Sequence, residues 1–302
     1  MEYVQGRLNS RGMVEGRQGD WVFVDWSPRK MSKDGELAFE QLVYLRSLQT
    51  MQQCAKLIEN TGDAECYEKQ AKQLSKLIIP TFWNVGKGAM MHHTKDRQLQ
   101  DEVTRYANMF AVLYDMLDES QRQSVLKNVL QNDSVMKITT PYMRFYELEA
   151  LCVLGQQKQV MDEMRSYWGA MLAQGATTFW ETYDPKEGYP ERLAMYGNRY
   201  GKSLCHAWGA SPVYLLGKYY LGVRPTKPGY AEWECRPCLG DLKWMKGDVP
   251  TPHGNIHIEM TRKQITIDSK GCGPGKLIIG QKEVMVNPDQ RIVVSLRSLH
   301  LR

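Results

Sequence analysis

A change of hydrophobic periodicity near residue 224 divides this chain of 302 residues into two parts. From Gly35 onward, apolar residues recur at helical spacing for roughly two hundred residues. Downstream of Arg224 they alternate in short runs separated by Gly, Pro and Asp, a pattern typical of strands. The chain can therefore form neither an all-helical bundle nor an all-β protein, and a helical part must precede a β part.

The predicted fold class is mainly α with a β domain. About seven helices joined by short connections favour antiparallel helical hairpins. The short runs that follow predict a small antiparallel β-sandwich. We expect a flexible, Gly-rich N-terminal arm over residues 1–20, a helical domain over residues 21–223 and the β-sandwich over residues 224–302.

Several local signals place the predicted helices. Gly62 is expected to stop the first helix and Asp63 to open the second, which Pro80 would close. A third helix is expected to run from Leu99 to Leu117. Further helices are predicted to begin at 140–141, where threonine precedes proline, and at 203, with a kink or a late start at Pro212.

The charge distribution excludes some classes of partner. The chain has 39 basic and 34 acidic residues with no long run of one sign, so we expect no nucleic-acid partner. No apolar run reaches the roughly 20 residues that a membrane span needs, so we expect no membrane partner. The first residues lack the apolar core of a signal peptide. Because we expect any signal peptide to lie in a missing N-terminal part, periplasm and cytoplasm both stay open as the compartment.

Seven cysteines, an odd number, are scattered along the chain. The Cys-x-x-Cys pair Cys235 and Cys238 could belong to a redox motif or supply half of a zinc site, with His253 and His257 downstream as the other half. The Pro-rich flanks look like a strand entering the β domain. They favour the simpler alternative of free, partly buried thiols in a reducing compartment.

The most suggestive segment for chemistry is residues 175–181, Gly-Ala-Thr-Thr-Phe-Trp-Glu, which lies in a break between two helical patterns. It places the Glu181 carboxylate directly after an aromatic pair that includes Trp180. A carboxylate among bulky apolar neighbours is expensive to ionise unless it has a partner. Glu181 is therefore either a satisfied buried acid or a working one.

Three further segments combine aromatic and polar residues near predicted helix ends. Asp25 and Trp26 end an apolar run before the first helix, Trp83 lies in a loop of aromatic residues and glycines, and His206 and Trp208 open the last helical pattern. Each could contribute to the rim of a pocket. Ordinary packing under a loop explains each of them equally well.

Four segments taken together resemble the bacterial α-L-rhamnosidases of glycoside hydrolase family 78. They are Asp-Trp at 25–26, Thr-Pro-Tyr-Met-Arg-Phe-Tyr-Glu-Leu-Glu-Ala-Leu at 140–151, the segment 175–181, and Ser-Leu-Cys-His-Ala-Trp-Gly at 203–209. The resemblance implies an (α/α)6 barrel of six helical hairpins followed by a C-terminal β-sandwich. It also implies hydrolysis of terminal α-L-rhamnose from glycosides or polysaccharides with inversion, with no cofactor and no metal in the chemistry.

The resemblance also assigns roles to residues. Glu181 falls on the family's general base, His206 on its sugar-contacting histidine, and Trp26 on an indole that packs against rhamnose. Further candidates for the same substrate-binding pocket are Asp25, Tyr142, Trp83, Trp180 and Trp208, for each of which ordinary core or rim packing is an equal alternative. Inversion needs two carboxyl groups about 6.5–9.5 Å apart, so that a water fits between the base and the sugar.

The chain departs from the family at the general acid. The family's acid lies in a stretch reading roughly Asp-x-x-x-Arg-Asp-Glu-Arg-Leu-Gly-Trp, which this sequence does not contain. It also has fewer predicted helices than six hairpins require. We therefore expect a rhamnosidase fragment that carries the base half of the catalytic pair.

The expected partners are a rhamnose-containing glycoside or polysaccharide, and a missing N-terminal half or a second copy against exposed apolar helix faces. Two alternatives for the function remain open. One is a non-catalytic carbohydrate-binding or structural remnant, and the other is a six-hairpin glycosidase acting on a different sugar.

Overall fold

The computed structural model describes residues 1–16 and 31–296. The chain divides into two compact units: Met1–Leu154 with Glu181–Lys202, and Gly155–Trp180 with Ser203–Arg302. Asp25 and Trp26, two of the predicted site residues, lie outside the described residues. Among the helices that are described, none is long and apolar enough to cross a membrane.

The first unit is built mainly from helices. In chain order they are α1 (Glu2–Gln5), α2 (Ala38–Leu57), α3 (Thr61–Phe82), α4 (Arg105–Leu113), α5 (Glu119–Val125), which a π-helical turn over Leu126–Leu130 extends, and α6 (Pro141–Val153). The α2 face with Leu42, Leu45 and Leu48 is fully buried, as the helical spacing predicts. Helices α2 and α3 pack together as a hairpin, and α4 packs on both α2 and α6.

The helix boundaries differ from the prediction at three signals. Helix α2 already ends at Leu57, and Asn60 caps α3 by accepting a hydrogen bond from the Asp63 N–H at 3.1 Å. Pro80 lies inside α3, which continues to Phe82. A proline inside a helix removes one main-chain hydrogen bond and crowds the preceding turn, and α3 ends two residues after Pro80.

Within the described parts of the connections between these helices lie five short strands: β1 (Glu36–Leu37), β2 (Trp83–Asn84), β3 (Ala89–Met90), β4 (His93–Lys95) and β5 (Gln98–Leu99). Strand β4 pairs with both β1 and β5, and β2 pairs with β3. The predicted third helix is therefore wrong before Arg105, because residues 98–99 belong to a hairpin. Its turn residues Asp96 and Arg97 have φ of 50° and 63°, as a type I′ turn requires.

Residues 1–16, which lie within the predicted N-terminal arm, make several contacts with the rest of the first unit. Helix α1 is followed by bridges from Leu8 to Val14 and from Gly16 to Gly35. The Met13 side chain is fully buried, and the Val14 N–H donates to the Gln41 amide oxygen at 2.9 Å. Apolar residues at 13 and 14 thus pack this Gly-rich segment onto α2.

The second unit contributes two helices, α7 (Gln157–Ala173) and α8 (Ser211–Leu215), and α8 continues as a π-helical turn over Leu216–Leu221. The last helix starts late, because Pro212 occupies its first turn. Residues 203–210 form a loop with a short 3-10 turn over Ala207–Gly209. The predicted start near 203 is therefore corrected to 211.

The β domain of the second unit contains two four-stranded sheets. Its strands are β6 (Val223–Pro225), β7 (Trp233–Cys235), β8 (Trp244–Thr251), β9 (Gly254–Thr261), β10 (Gln264–Asp268), β11 (Gly275–Ile279), β12 (Lys282–Val286) and β13 (Arg291–Ser295). The sheet orders are β13-β10-β9-β8 and β12-β11-β7-β6. Alternate residues Ile256, Ile258 and Met260 of β9 are buried, as the alternating pattern predicts.

One strand pair departs from the predicted antiparallel arrangement, since β7 and β11 run parallel. Trp233 of β7 lies opposite Gly275 of β11, and a Cβ at Gly275 would lie 2.1 Å from the Trp233 indole. Only glycine leaves room for this fully buried ring. The Trp233 indole N–H also donates to the Gly273 carbonyl at 2.8 Å.

Candidate active site

Glu181 is a buried carboxylate at the end of a loop that follows α7. Gly175, with φ of +88°, ends that helix in the left-handed conformation, and its N–H donates to the Leu172 carbonyl at 2.9 Å. The chain then runs through Phe179 and Trp180 to Glu181, whose side chain is 5% exposed. The structure thus confirms a helix end before this segment and places its carboxylate away from bulk water.

A phenol that the sequence did not indicate contacts this carboxylate. The Tyr196 hydroxyl donates to Oε1 of Glu181 at 3.1 Å. The pKa of Tyr196 is raised, first by desolvation and then by this hydrogen bond to the carboxylate. The phenol therefore keeps its proton at neutral pH and acts as a donor to Glu181.

A tight turn presents Tyr196. Met195 and Asn198 exchange two backbone hydrogen bonds of 2.9 Å, and the residues between them, Tyr196 and Gly197, have φ of 54° and 75°. Two consecutive left-handed residues define a type I′ turn, in which tyrosine is unusual at the first position. The positive φ of Tyr196 is a local strain that can accompany function.

Contacts at its base hold the turn in place. A Cβ at Gly201 would lie 2.2 Å from the Met195 carbonyl oxygen, so only glycine permits this approach. The Lys202 N–H donates to the Leu193 carbonyl at 3.1 Å, and its buried ammonium pairs with Glu187 at 3.2 Å. The segment from Glu181 to Lys202 is thus tied together by main-chain and charged contacts.

The second unit brings together three of the other predicted site residues. The rings of His206 and Trp208 lie 4.3 Å apart between centroids. The main-chain N–H of His206 donates to the Phe179 carbonyl at 2.8 Å, and a Cβ at Gly209 would lie 2.9 Å from the Trp180 carbonyl oxygen. Residues 206–209 therefore lie against the main chain of residues 179–180, and the Trp180 side chain is buried.

The remaining candidates lie in the first unit. Tyr142 is on the first turn of α6, where its ring meets that of Tyr146 edge-on at 6.0 Å. Trp83 is a half-buried residue of β2, opposite Met90 of β3. The first unit thus carries Glu181, Tyr142 and Trp83, the second carries Trp180, His206 and Trp208, and the roles implied by the resemblance stay predictions.

Another buried carboxylate of the first unit, Glu36, shows what a structural acid looks like. Its oxygens accept hydrogen bonds from Asn9 at 2.7 Å, from Arg11 at 3.0 Å and from Thr94 at 2.8 Å. A carboxylate that accepts several donors, one of them a cation, is well stabilised in its charged form. Glu36 therefore ties the N-terminal segment to β4.

Helices α4 and α6 are joined by a buried ion pair. Arg105 of α4 pairs with Glu147 of α6 and donates to the Leu130 carbonyl at 2.9 Å and the Asn132 carbonyl at 3.1 Å. Arg144 lies 3.9 Å from the same carboxylate. Removing one partner would leave a buried charge uncompensated, so the pair fixes the two helices relative to each other.

One group of side chains could hold a metal ion. Among the residues that the structure describes, His92, His93 and Glu102 alone form a group of three potential ligands whose ligand atoms lie within 4.8 Å of one another. Cys235 and Cys238 do not belong to such a group. Burial raises the pKa of Cys235 to about 12, as expected of an inert thiol, and both cysteines are free.

Both parts of the chain match known protein domains. Residues 1–220 match the bacterial alpha-L-rhamnosidase 6 hairpin glycosidase domain, and residues 222–269 match the bacterial alpha-L-rhamnosidase C-terminal domain. No curated protein sequence matches the chain.

Solved structures of rhamnosidases are similar to the chain. The glycoside hydrolase family 78 rhamnosidase of Bacillus sp. GL1 has 25% identity and a TM-score of 0.71 over 88% of this chain and 27% of that chain. A rhamnosidase from Klebsiella oxytoca with rhamnose bound has 27% identity and a TM-score of 0.58 over 72% of this chain and 40% of that chain.

A more distant structure shares the fold alone. The alpha-L-rhamnosidase of Streptomyces avermitilis complexed with L-rhamnose has 14% identity and a TM-score of 0.69, over 97% of this chain and 29% of that chain. The chain thus spans between 27% and 40% of the length of these three proteins.

Helical hairpins followed by a β domain define the chain as a six-hairpin glycosidase domain with a C-terminal β domain, which confirms the predicted fold class. The match over residues 1–220 adds the particular family. The chain belongs to the bacterial alpha-L-rhamnosidases, as its sequence motifs predicted.

Proposed function

We propose that this chain carries the water-activating half of an inverting α-L-rhamnosidase, with Glu181 as the general base. The observation that carries the proposal is the buried Glu181 carboxylate with the Tyr196 phenol donating to it at 3.1 Å, in a segment that resembles the family's base motif. A donor that stays protonated favours the ionised carboxylate, the form that accepts a proton.

The chemistry assigns Glu181 one proton transfer. Its carboxylate takes a proton from a water molecule while the water oxygen forms a bond to the anomeric carbon and the bond to the leaving oxygen breaks. The leaving oxygen must gain a proton from a second carboxyl group. The sequence has no counterpart of the family's acid stretch, so that proton donor is the part of the mechanism this chain lacks.

Terminal α-L-rhamnose of a glycoside or polysaccharide is the proposed substrate. The Klebsiella oxytoca rhamnosidase, 27% identical to this chain, was solved with rhamnose bound. Indole and imidazole side chains such as Trp208 and His206 suit a sugar, because rings pack on its apolar face and nitrogen atoms bond its hydroxyls. Their 4.3 Å ring separation supports a shared role in sugar binding.

The test is hydrolysis of an aryl α-L-rhamnoside by the wild-type chain and by Glu181→Gln, with a 4-nitrophenyl leaving group, which departs as a stable phenolate and so needs no proton donor. We expect turnover that releases rhamnose of inverted anomeric configuration by NMR, and a loss of about 1,000-fold in Glu181→Gln, within the range for a general base. Glu191→Gln, an exposed acid of the same segment, is the matched control and should keep full activity. Equal activity of wild type and Glu181→Gln would remove Glu181 from the mechanism.

The absent acid stretch favours a second candidate, a rhamnose-binding remnant without turnover. Calorimetry with L-rhamnose separates the two, because the remnant predicts saturable binding by a chain that hydrolyses no rhamnoside. Hydrolysis of other glycosides in a panel, with none of rhamnosides, would instead identify a six-hairpin glycosidase for a different sugar.

A further inference from the structure

Residues 92–104 bring two imidazoles and a carboxylate to one point in the first unit. The possible ligand atoms of His92, His93 and Glu102 all lie within 4.8 Å of one another, and both histidines are buried. An ion with bonds of about 2.1 Å has donor atoms up to about 4.2 Å apart, so small side-chain rotations are enough to close a coordination shell.

The main chain fixes these residues independently of any ion. The main-chain N–H of His92 donates to the main-chain carbonyl of Glu102 at 2.7 Å, which brings the two ends of the β4–β5 hairpin together. His93 lies opposite Leu37 in the β1–β4 pair, and its carbonyl accepts from the Gln100 N–H at 3.1 Å. The candidate ligands are therefore held in place by rigid backbone, as a preformed site requires.

The surroundings of His92 define its tautomer. Its Nε2 lies 2.9 Å from the Ser32 carbonyl oxygen, which can only accept, so Nε2 carries the proton. In the neutral imidazole Nδ1 then keeps its lone pair, and it lies 3.2 Å from the Thr104 hydroxyl. A histidine that donates one N–H to a backbone carbonyl and offers its other nitrogen is the usual arrangement of a metal ligand.

The ring nitrogen Nδ1 of His93 lies in an unusual environment. Its Nδ1 is buried without a hydrogen-bond partner within the described part of the chain, and it lies 3.4 Å from Oε2 of Glu102. Leaving a buried polar atom unsatisfied costs about 1–3 kcal/mol, so such an atom calls for a partner.

We propose that His92, His93 and Glu102 bind one divalent transition-metal ion of the zinc and cobalt class. Two imidazoles and one carboxylate match the nitrogen and oxygen preference of these ions, whereas Mg²⁺ and Ca²⁺ prefer oxygen ligands alone. Glu102 and Thr104 also line a cleft of about 720 Å³, from which water can complete the coordination. The ion cross-links the two ends of the β4–β5 hairpin and thereby stabilises the first unit.

The test is a titration of the chelator-treated chain with Co²⁺, followed by its visible absorption, and a thermal-unfolding series with Zn²⁺. We expect one equivalent of Co²⁺ with a spectrum lacking thiolate bands, and a Zn²⁺-dependent rise of Tm by mass action. His93→Gln and Glu102→Gln should each weaken binding by about 100-fold or more, since even losing an outer-shell partner costs about 10–100-fold.

His257→Gln is the matched control. His257 is an imidazole beside Asp248 and Glu259 on a β-sheet, and removing it should leave the titration unchanged. Circular dichroism checks that each variant is folded, and the half-buried Glu102 offers a milder change should His93→Gln unfold. The proposal is overturned by an absence of saturable binding, by binding that survives in Glu102→Gln, or by binding that is lost in His257→Gln. None of these readouts depends on rhamnoside hydrolysis.

Discussion

His93 in the first unit and His257 in the second each lie beside a carboxylate, in opposite surroundings. His93 is buried and 3.4 Å from Glu102, whereas His257 lies on β9 at 2.8 Å from Asp248 of β8 and 3.3 Å from Glu259. Their pKa values shift in opposite directions. That of His93 is lowered, chiefly by burial, and that of His257 is raised, chiefly by its hydrogen bond to Asp248.

The difference shows that a neighbouring carboxylate does not by itself decide the charge of an imidazole. Near the surface the ion pair prevails, because water stabilises both charges and desolvation is small. In the interior desolvation prevails, and the imidazole stays neutral with a free lone pair. The first environment suits a solvent-exposed salt bridge, and the second suits coordination of an ion.

Displacing the strand that carries His93 should lower the stability of the chain more than any other change described below. Gly35 has φ of +76°, and a Cβ there would lie 2.0 Å from the Thr94 carbonyl oxygen. We expect Gly35→Ala to lower the free energy of unfolding by about 4 kcal/mol, through backbone strain and a clash that must push β4 away from β1. Urea unfolding measures the change.

Gly12→Ala is the control for this substitution. Gly12 has nearly the same φ, +79°, but no atom of the described residues lies within 4 Å of its added Cβ. For Gly12→Ala we expect the free energy of unfolding to fall by about 1–2 kcal/mol, from the strain of a left-handed alanine alone. Equal losses for the two variants would show that the contact with Thr94 does not matter.

A pair of histidine substitutions tests the buried and the exposed imidazole environments directly. His92, the fully buried neighbour of His93, contacts Ser32 and Thr104, and His92→Ala leaves a cavity and two polar groups without this partner. We expect a loss of about 3 kcal/mol in unfolding free energy. His257→Ala should change it by no more than about 0.5 kcal/mol, as for most surface substitutions. Similar losses at both sites would contradict the comparison.

Glu181 is an intermediate case, because it is a buried carboxylate that accepts a hydrogen bond from an exposed residue. Tyr196→Phe removes the hydroxyl that donates to Glu181 and keeps the ring. A hydrogen bond to a charged group contributes about 1.5–3 kcal/mol, so kcat/KM for an aryl rhamnoside should fall by about 10- to 150-fold. Tyr200→Phe, another exposed tyrosine of the segment, should leave kcat/KM unchanged.

The smallest change in stability that we expect is the pH-dependent contribution of His257. Its folded-state pKa is raised, so its contribution to stability is fully present below the unfolded value of about 6.5 and is lost as the pH rises through the folded pKa. Because the pair is near the surface, we expect no more than about 0.5 kcal/mol. Unfolding at a series of pH values should show this step in the wild type and not in His257→Gln.

The sequence predicted the fold class because periodicity is a property of the chain itself. The alternation of Ile256, Ile258 and Met260 and the spacing of Leu42, Leu45 and Leu48 both correspond to buried faces. The segment ending in Glu181 was also recognisable, since Gly175 marks the helix end that precedes it.

The structural features that the sequence did not indicate depend on turns with unusual residues. The turn at Asp96 and Arg97 lacks the Asn-Gly pair that normally identifies a hairpin, so the apolar Leu99 was assigned to a helix. Without that hairpin, His92 and Glu102 are ten positions apart with no metal-ligand spacing. The Tyr196–Gly197 turn was a weak signal, because only its glycine suggests positive φ.

The parallel pairing of β7 with β11 has a consequence for biosynthesis. Trp233 leaves the ribosome well before its partner Gly275, and β8, β9 and β10 emerge in between. The antiparallel hairpins can form as soon as they are made, whereas the sheet that encloses Trp233 must await residues 275–279. During that interval a bulky indole is left uncovered, so a ribosome stalled before residue 275 would hold a nascent chain prone to chaperone capture.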